Sequence, residues 1–191
     1  MKKILLLMAL FFLSIASSNA EISRVFAGKK NAKITIIVYE SLTCSHCANF
    51  HTDVYPLLKK DYIDTGLAKI EFRHFPLDIA AFNASKIVQC KKDQSLEILN
   101  SLYSNQQAWV KGNKIEEINK NLERYIEKEG FSLDFKKCIN NKEIEDFVLN
   151  DRIEGVKKFK VNATPTIIIN NKKFEKSLNY KNLKKSLEKL I

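Results

Sequence analysis

Residues 33–48 read KITIIVYESLTCSHCA. Lys33 to Tyr39 form a β-branched run of strand length, and its nearly continuous apolar character fits a strand buried on both faces. Thr43 follows as a candidate N-cap, and Cys47, Phe50, Val54, Leu57 and Leu58 then recur at helical spacing as far as about Lys60. Cys44 and Cys47 therefore stand where a buried strand turns into a helix N-terminus. Two thiols separated by two residues can hold a metal, anchor a haem, or make and break a disulfide, and the spacing alone leaves all three open.

Working outward, the alternating stretch LAKIEFRHF, Leu67 to Phe75, follows Gly66 and predicts a second strand that stops at Pro76. From Asp78 to about Val156 helical periodicity takes over. Ile115, Ile118, Leu122, Tyr125 and Ile126 share one face after Asn113, with Gly130 as the expected C-cap. Ile144, Val148, Leu149, Ile153 and Val156 make a second stripe, and both stripes are predicted to be core. Strand character returns over VNATPTIII, Val161 to Ile169, where Pro165 lacks an N–H for a ladder and belongs at the edge or start of the strand. Asn170-Asn171 is a turn signal leading towards Phe174, and Tyr180 to Ile191 is a short amphipathic helix carrying Leu183, Leu187 and Leu190.

The N-terminal stretch carries Lys2 and Lys3, an apolar run from Ile4 to Ile15, and Ser18-Asn19-Ala20. That is the layout of a secretory signal over 1–20, with a mature start near Glu21. About a dozen apolar residues are short against the roughly 20 of a spanning helix. The four cysteines all follow that start, so they are expected to meet an oxidising compartment, the periplasm, where disulfides persist. The formal net charge is +10, or +8 without Lys2 and Lys3. Pairs such as Lys29-Lys30, Lys91-Lys92 and Lys184-Lys185 are scattered along the chain, without interleaved aromatics or a nucleic-acid motif. A solvated lysine-rich surface is the reading, and no nucleic-acid partner is expected.

The order strand, CxxC helix, strand, helical block, proline-led strand, hairpin strand, helix resembles an α/β thioredoxin fold with an inserted α-helical subdomain. More closely, the chain resembles the DsbA-like thiol:disulfide oxidoreductases. The resemblance rests on Cys44-Ser45-His46-Cys47 after the strand, on Gln106-Gln107-Ala108-Trp109 in the helical block, and on Val161-Asn162-Ala163-Thr164-Pro165-Thr166 at the return. It implies a thioredoxin-like part over 21–78 and 157–191, and an insert over 79–156. It further implies a cis proline at Pro165 packed against the Cys44–Cys47 redox pair, with Thr164 offering its backbone to an extended substrate.

A sulfur at a helix N-terminus meets unpaired N–H groups and the positive end of the helix dipole, both of which favour thiolate. Protonated His46 would add a positive donor. Cys44 is thus the expected exposed nucleophile, Cys47 its buried partner and His46 the tuner. Stabilised thiolate stabilises the reduced form and makes the disulfide oxidising, so an oxidase is favoured over an isomerase or reductase. Substrates would be unfolded or partly folded exported proteins with cysteines. The resemblance implies recharging by a membrane partner of the DsbB type, and the short distance from Glu21 to Cys44 fits a monomer better than a chain preceded by a dimerisation domain.

Relatives often carry a buried acid six residues before the first cysteine, and Val38 occupies that position here. Glu40 is expected to be a surface strand residue, with proton transfer to Cys47 as its alternative. His51 and His74 are expected at the surface or a boundary, and Trp109 in the core. Cys90 and Cys138 are expected to form a structural disulfide, the alternative being two buried free thiols. A haem site needs histidine where Ala48 stands, and no second cysteine or histidine pair completes a zinc set, so no cofactor or metal is expected. A soft-metal carrier using Cys44 and Cys47 is the remaining non-enzyme reading.

Overall fold

The computed structural model describes residues 22–191, so the expected signal segment over 1–20 lies outside the described residues. Five strands form one mixed sheet in the order β1-β3-β2-β4-β5: β1 (Val25–Ala27), β2 (Ile34–Glu40), β3 (Ala68–His74), β4 (Thr166–Ile169) and β5 (Lys172–Lys173). β2 runs parallel to β3, and every other pairing is antiparallel. The short edge strand β1 has no counterpart in the sequence reading, because three residues are too few to show a period. Asn170 and Asn171 both take positive φ (46° and 67°) and make the tight β4–β5 turn that asparagine tolerates best.

β2 is covered on both sides, as its unbroken apolar run requires. On one face Ile36 and Val38 join a large core with Phe50, Leu58, Phe72, Leu102 and Trp109. On the other, Ile37 and Tyr39 join Phe75, Phe159, Val161 and Ile168.

The helices are α1 (Ser45–Asn49), α2 (Tyr55–Leu58), α3 (Ile79–Cys90), α4 (Ser95–Ser104), α5 (Gln106–Trp109), α6 (Ile115–Lys128), α7 (Phe135–Ile139), α8 (Lys142–Phe159) and α9 (Tyr180–Leu187). One continuous helix was expected after the CxxC. Instead π-helical turns over Phe50–Val54 and Lys59–Ile63 flank α2, whose Pro56 has no N–H to give to the preceding turn. Asp78, Asp134, Asn141 and Asn179 cap the starts of α3, α7, α8 and α9, each accepting a first-turn N–H at 2.7–3.0 Å. Gly130 stands just past α6 at φ 79°, where glycine ends a helix without strain.

The second apolar stripe divides differently from expectation. Ile144, Val148, Asp151, Gly155 and Phe159 form the buried face of α8, whereas Leu149, Ile153 and Val156 are 39–46% exposed. Gly155 selects that face: a Cβ there would come within 2.8 Å of the Tyr39 ring, so only glycine lets α8 approach β2 this closely. Cys90 at the end of α3 and Cys138 in α7 are joined by a disulfide that ties two helices of the block together. Among the described residues no helix is long and apolar enough to cross a membrane.

Candidate active site

Cys44, rather than Thr43, is the N-cap of α1. Its backbone is extended, and its side chain is a sulfur in place of the oxygen that ordinarily caps a helix. Thr43 instead donates its hydroxyl to Asp78 Oδ2 at 2.6 Å, pinning the loop to the start of α3. The first-turn N–H groups that a threonine cap would have satisfied are left to the sulfur.

The two thiols are unlinked and differ sharply. Cys44 is part-exposed, and its thiol is lowered to about 5, chiefly because the Cys47 thiol donates to it. Burial opposes this shift, while the Thr164 side chain and the N–H groups of Cys47 and His46 add to it. Cys47 is fully buried, and its thiol is pushed far up by that burial, by its bond to Cys44 and by the charge of Glu40. At neutral pH such a pair carries one thiolate and one thiol. The His46 imidazole is exposed, and it is the backbone N–H of His46 that acts on the sulfur here.

Facing the thiols, the Thr164-Pro165 peptide is cis, and Cys44 Sγ lies 3.4 Å from the Thr164 carbonyl oxygen, to which it can donate only while protonated. The ladder between β2 and β4 starts only at Thr166, so the backbone just ahead of it lies beyond the sheet. Next to it lies a cavity of about 420 Å³ lined by His46, Asn49, Asp53, Thr164, Pro165 and Leu178. A cavity of similar size, about 390 Å³, sits at the β1 edge against Arg24, Phe26 and Phe147 and holds no thiol.

The helical block supplies a clamp whose role the sequence did not reveal. Gln106 Nε2 donates to the carbonyls of Leu42 at 2.8 Å and Cys44 at 3.1 Å. Trp109, a core residue as expected, donates its indole N–H to Leu102 O at 3.0 Å and fixes α5 against α4.

Three expectations are corrected behind the motif. Glu40 is not a surface residue: it is 2% exposed, and burial raises its carboxyl above the usual range. His51 is buried too, its Nε2 lying 2.8 Å from Glu40 Oε2 and its ring stacked on Tyr103 at 4.1 Å between centroids. His74 is also buried, bonded through Nε2 to Gln89, and lowered to about 4 by desolvation. The signals for the first two were present. Strand alternation puts Glu40 on the face of Ile36 and Val38, and helical spacing puts His51 one turn after Cys47. Single polar residues on apolar stripes were read by their residue type instead of by their position. Among the described residues no group of three or more histidine, cysteine or acidic side chains is placed to hold a metal ion.

A strand-to-helix turn carrying one low and one high thiol, facing a Thr-Pro segment brought in from the far end of the chain, is the construction of the DsbA-like class within the thioredoxin superfamily. Residues 20–189 match the family described as Thioredoxin. The protein belongs to that family. The solved structure of Wolbachia pipientis alpha-DsbA1 superposes with a TM-score of 0.78 at 30% identity, over 86% of this chain and 89% of that one. "Disulfide bond formation protein D" of Bacillus subtilis is 25% identical over 179 residues, 85% of this chain and 74% of that protein. A Rickettsia prowazekii relative is 27% identical over 168 residues, covering 86% of this chain and 60% of that protein. The chain spans between 51% and 60% of the length of the Rickettsia relatives it matches.

Proposed function

We propose that the protein is a thiol:disulfide oxidoreductase of the oxidase type, which passes the Cys44–Cys47 disulfide to cysteines of unfolded or partly folded exported polypeptides. The observation that carries this reading is the opposed acidity of the two thiols, with Cys44 lowered to about 5 and Cys47 held protonated. A thiolate stabilised in the reduced form makes the disulfide the better oxidant. In this reading Cys44 is the sulfur that substrate attacks, Cys47 is the leaving group, and His46 assists Cys44. The backbone at Thr164-Pro165 receives the substrate as an added strand beside the thiols. Action in the periplasm as a monomer, and reoxidation by a membrane partner of the DsbB type, complete the proposal.

The test is equilibration with glutathione redox buffers, followed by turnover on a reduced, unfolded disulfide protein. The expected potential lies on the oxidising side of the roughly −270 mV of thioredoxin. A value at or below that level, or catalysed reduction without oxidation, overturns the oxidase reading. Trapping the thiols in cells separates the alternatives: an oxidase is found mostly oxidised, an isomerase or reductase mostly reduced. His46→Leu should raise the pKa of Cys44 and lower the potential, and an unchanged potential removes the imidazole from the account.

A further inference from the structure

The positive charge of the chain is not spread evenly. From Lys172 to Ile191 seven lysines stand against Glu175 and Glu188, a net of +5, which leaves +3 for residues 21–171. The fold gathers these lysines at one edge of the sheet. A cavity of about 370 Å³ is lined by Lys172 and Lys173 of the edge strand β5, by Phe174 and Lys176 after it, and by Ser186 and Leu190 at the far end of α9. Six of the seven are exposed and Lys173 is half-buried. Among the described residues only Lys184 of the seven has a carboxylate within reach, Glu188 at 4.0 Å. Lys181, Lys184 and Lys185 share the face of α9 that points away from the buried Leu183 and Leu187.

Local reasons account for four of these cations. Lysines on a sheet edge block strand addition, which covers Lys172 and Lys173. The last turn of a helix favours cations, which covers Lys184 and Lys185. Lys176, Lys181 and Lys189 have neither reason. Lys181 stands three and four residues before Lys184 and Lys185, the spacing at which like charges on one helix face repel. Beside them, Leu190 and Ile191 are 43% and 68% exposed.

We propose that β5 and α9 form a docking face for a membrane surface that bears anionic phospholipid, with the lysines on headgroup phosphates and Leu190 and Ile191 in the apolar layer beneath. A bilayer surface answers both features of the face, whereas a nucleic acid or an acidic polypeptide answers only its charge. Docking here leaves the thiols open. The cavity beside them is lined by Leu178 and Asn179 just ahead of α9, and the basic cavity by Ser186 and Leu190 at its other end, about one helix length away, roughly 12 Å. In the oxidase reading such docking keeps the thiols near a membrane partner that reoxidises them. Binding to lipid itself needs neither thiol and stands apart from that reading.

Co-sedimentation with vesicles tests the proposal, on the chain from residue 21, which carries every described element and omits the apolar run from Ile4 to Ile15. At about 0.1 M salt the protein should partition at least tenfold more strongly onto phosphatidylcholine vesicles containing about one-third phosphatidylglycerol than onto phosphatidylcholine alone. Equal partition, or none, overturns the proposal with no variant required. Lys176→Gln/Lys181→Gln/Lys189→Gln should weaken the anionic binding by about tenfold or more. Lys111→Gln/Lys114→Gln/Lys120→Gln removes the same charge from exposed positions of the helical block and should weaken it by less than about threefold. Equal losses would show net charge acting without a docking face and overturn the proposal. So would tighter binding to duplex DNA than to the anionic vesicles, which would make the face a general polyanion site. Both variants should exchange disulfides with dithiothreitol at the wild-type rate.

Discussion

The four cysteines form two pairs that the same side-chain chemistry takes in opposite directions. Cys90 and Cys138, 48 residues apart, meet between α3 and α7 and are covalently joined. Cys44 and Cys47, three residues apart, stay unlinked at the mouth of α1, one thiol lowered to about 5 and the other pushed far up. The first pair closes a long loop inside the helical block, where the bond removes freedom from the unfolded chain. The second closes almost no loop, so its bond contributes little to stability and is free to be set by electrostatics. The lesson is that loop length and surroundings separate a staple from a redox centre.

The most severe break of that contrast is Cys44→Ser, which should reduce disulfide transfer to a reduced protein to the uncatalysed background, whereas Cys90→Ser/Cys138→Ser should retain it. Turnover by the Cys44 variant, or its loss in the double variant, would erase the distinction. Next in size, the double variant should lose about 4 kcal/mol of unfolding free energy, on the loop-entropy reading of a 48-residue separation. Urea unfolding with Cys44 and Cys47 held reduced in both proteins measures it, and equal midpoints would show that the bond constrains nothing.

A smaller effect sharpens the redox side. Cys44 has a folded value near 5, below the roughly 8.5 of an unfolded thiol, so its thiolate stabilises the reduced fold fully above about pH 8.5 and loses that contribution as pH falls through 5. The stability difference between reduced wild type and reduced Cys44→Ser should therefore shrink on acidification from pH 9 to pH 5, and a constant difference would refute the lowered thiol. Smallest of all, Gln106→Ala leaves the Leu42 and Cys44 carbonyls without their donor and should cost about 1–2 kcal/mol. Faster amide exchange over residues 42–48 would report the loosened loop, and unchanged exchange would show that Gln106 is no clamp.

Much of this was legible in the residues. Long periodic or β-branched runs announced β2, β3, the helical block and β4, because burial on a repeating face leaves a repeating pattern. Shorter or singular features left none. β1 has three residues, and the π turns around α2 follow from Pro56 together with packing. The exposure of Leu149, Ile153 and Val156 depends on which side of α8 Gly155 lets down onto Tyr39. Glu40 and His51 were visible as members of buried stripes, but only as isolated polar residues, and residue type argued for the surface.

By itself the sequence determined the α/β framework and the placing of Cys44-Ser45-His46-Cys47 at a strand-to-helix turn, since both follow from local periodicity and chain order. That Thr164-Pro165 returns to meet the thiols was implied by the family resemblance, while the residues alone placed Pro165 only at the edge or start of a strand. Only the tertiary structure decided how those groups behave. The Gln106 clamp and the Glu40–His51 pair arise between residues remote in sequence or on different elements, and the splitting of the two thiols, expected from their place at the helix start, is completed by burial and by Glu40 and Thr164. The physical reason is that burial and hydrogen bonding depend on distances in space, and a residue's type records what it can do without recording what will surround it.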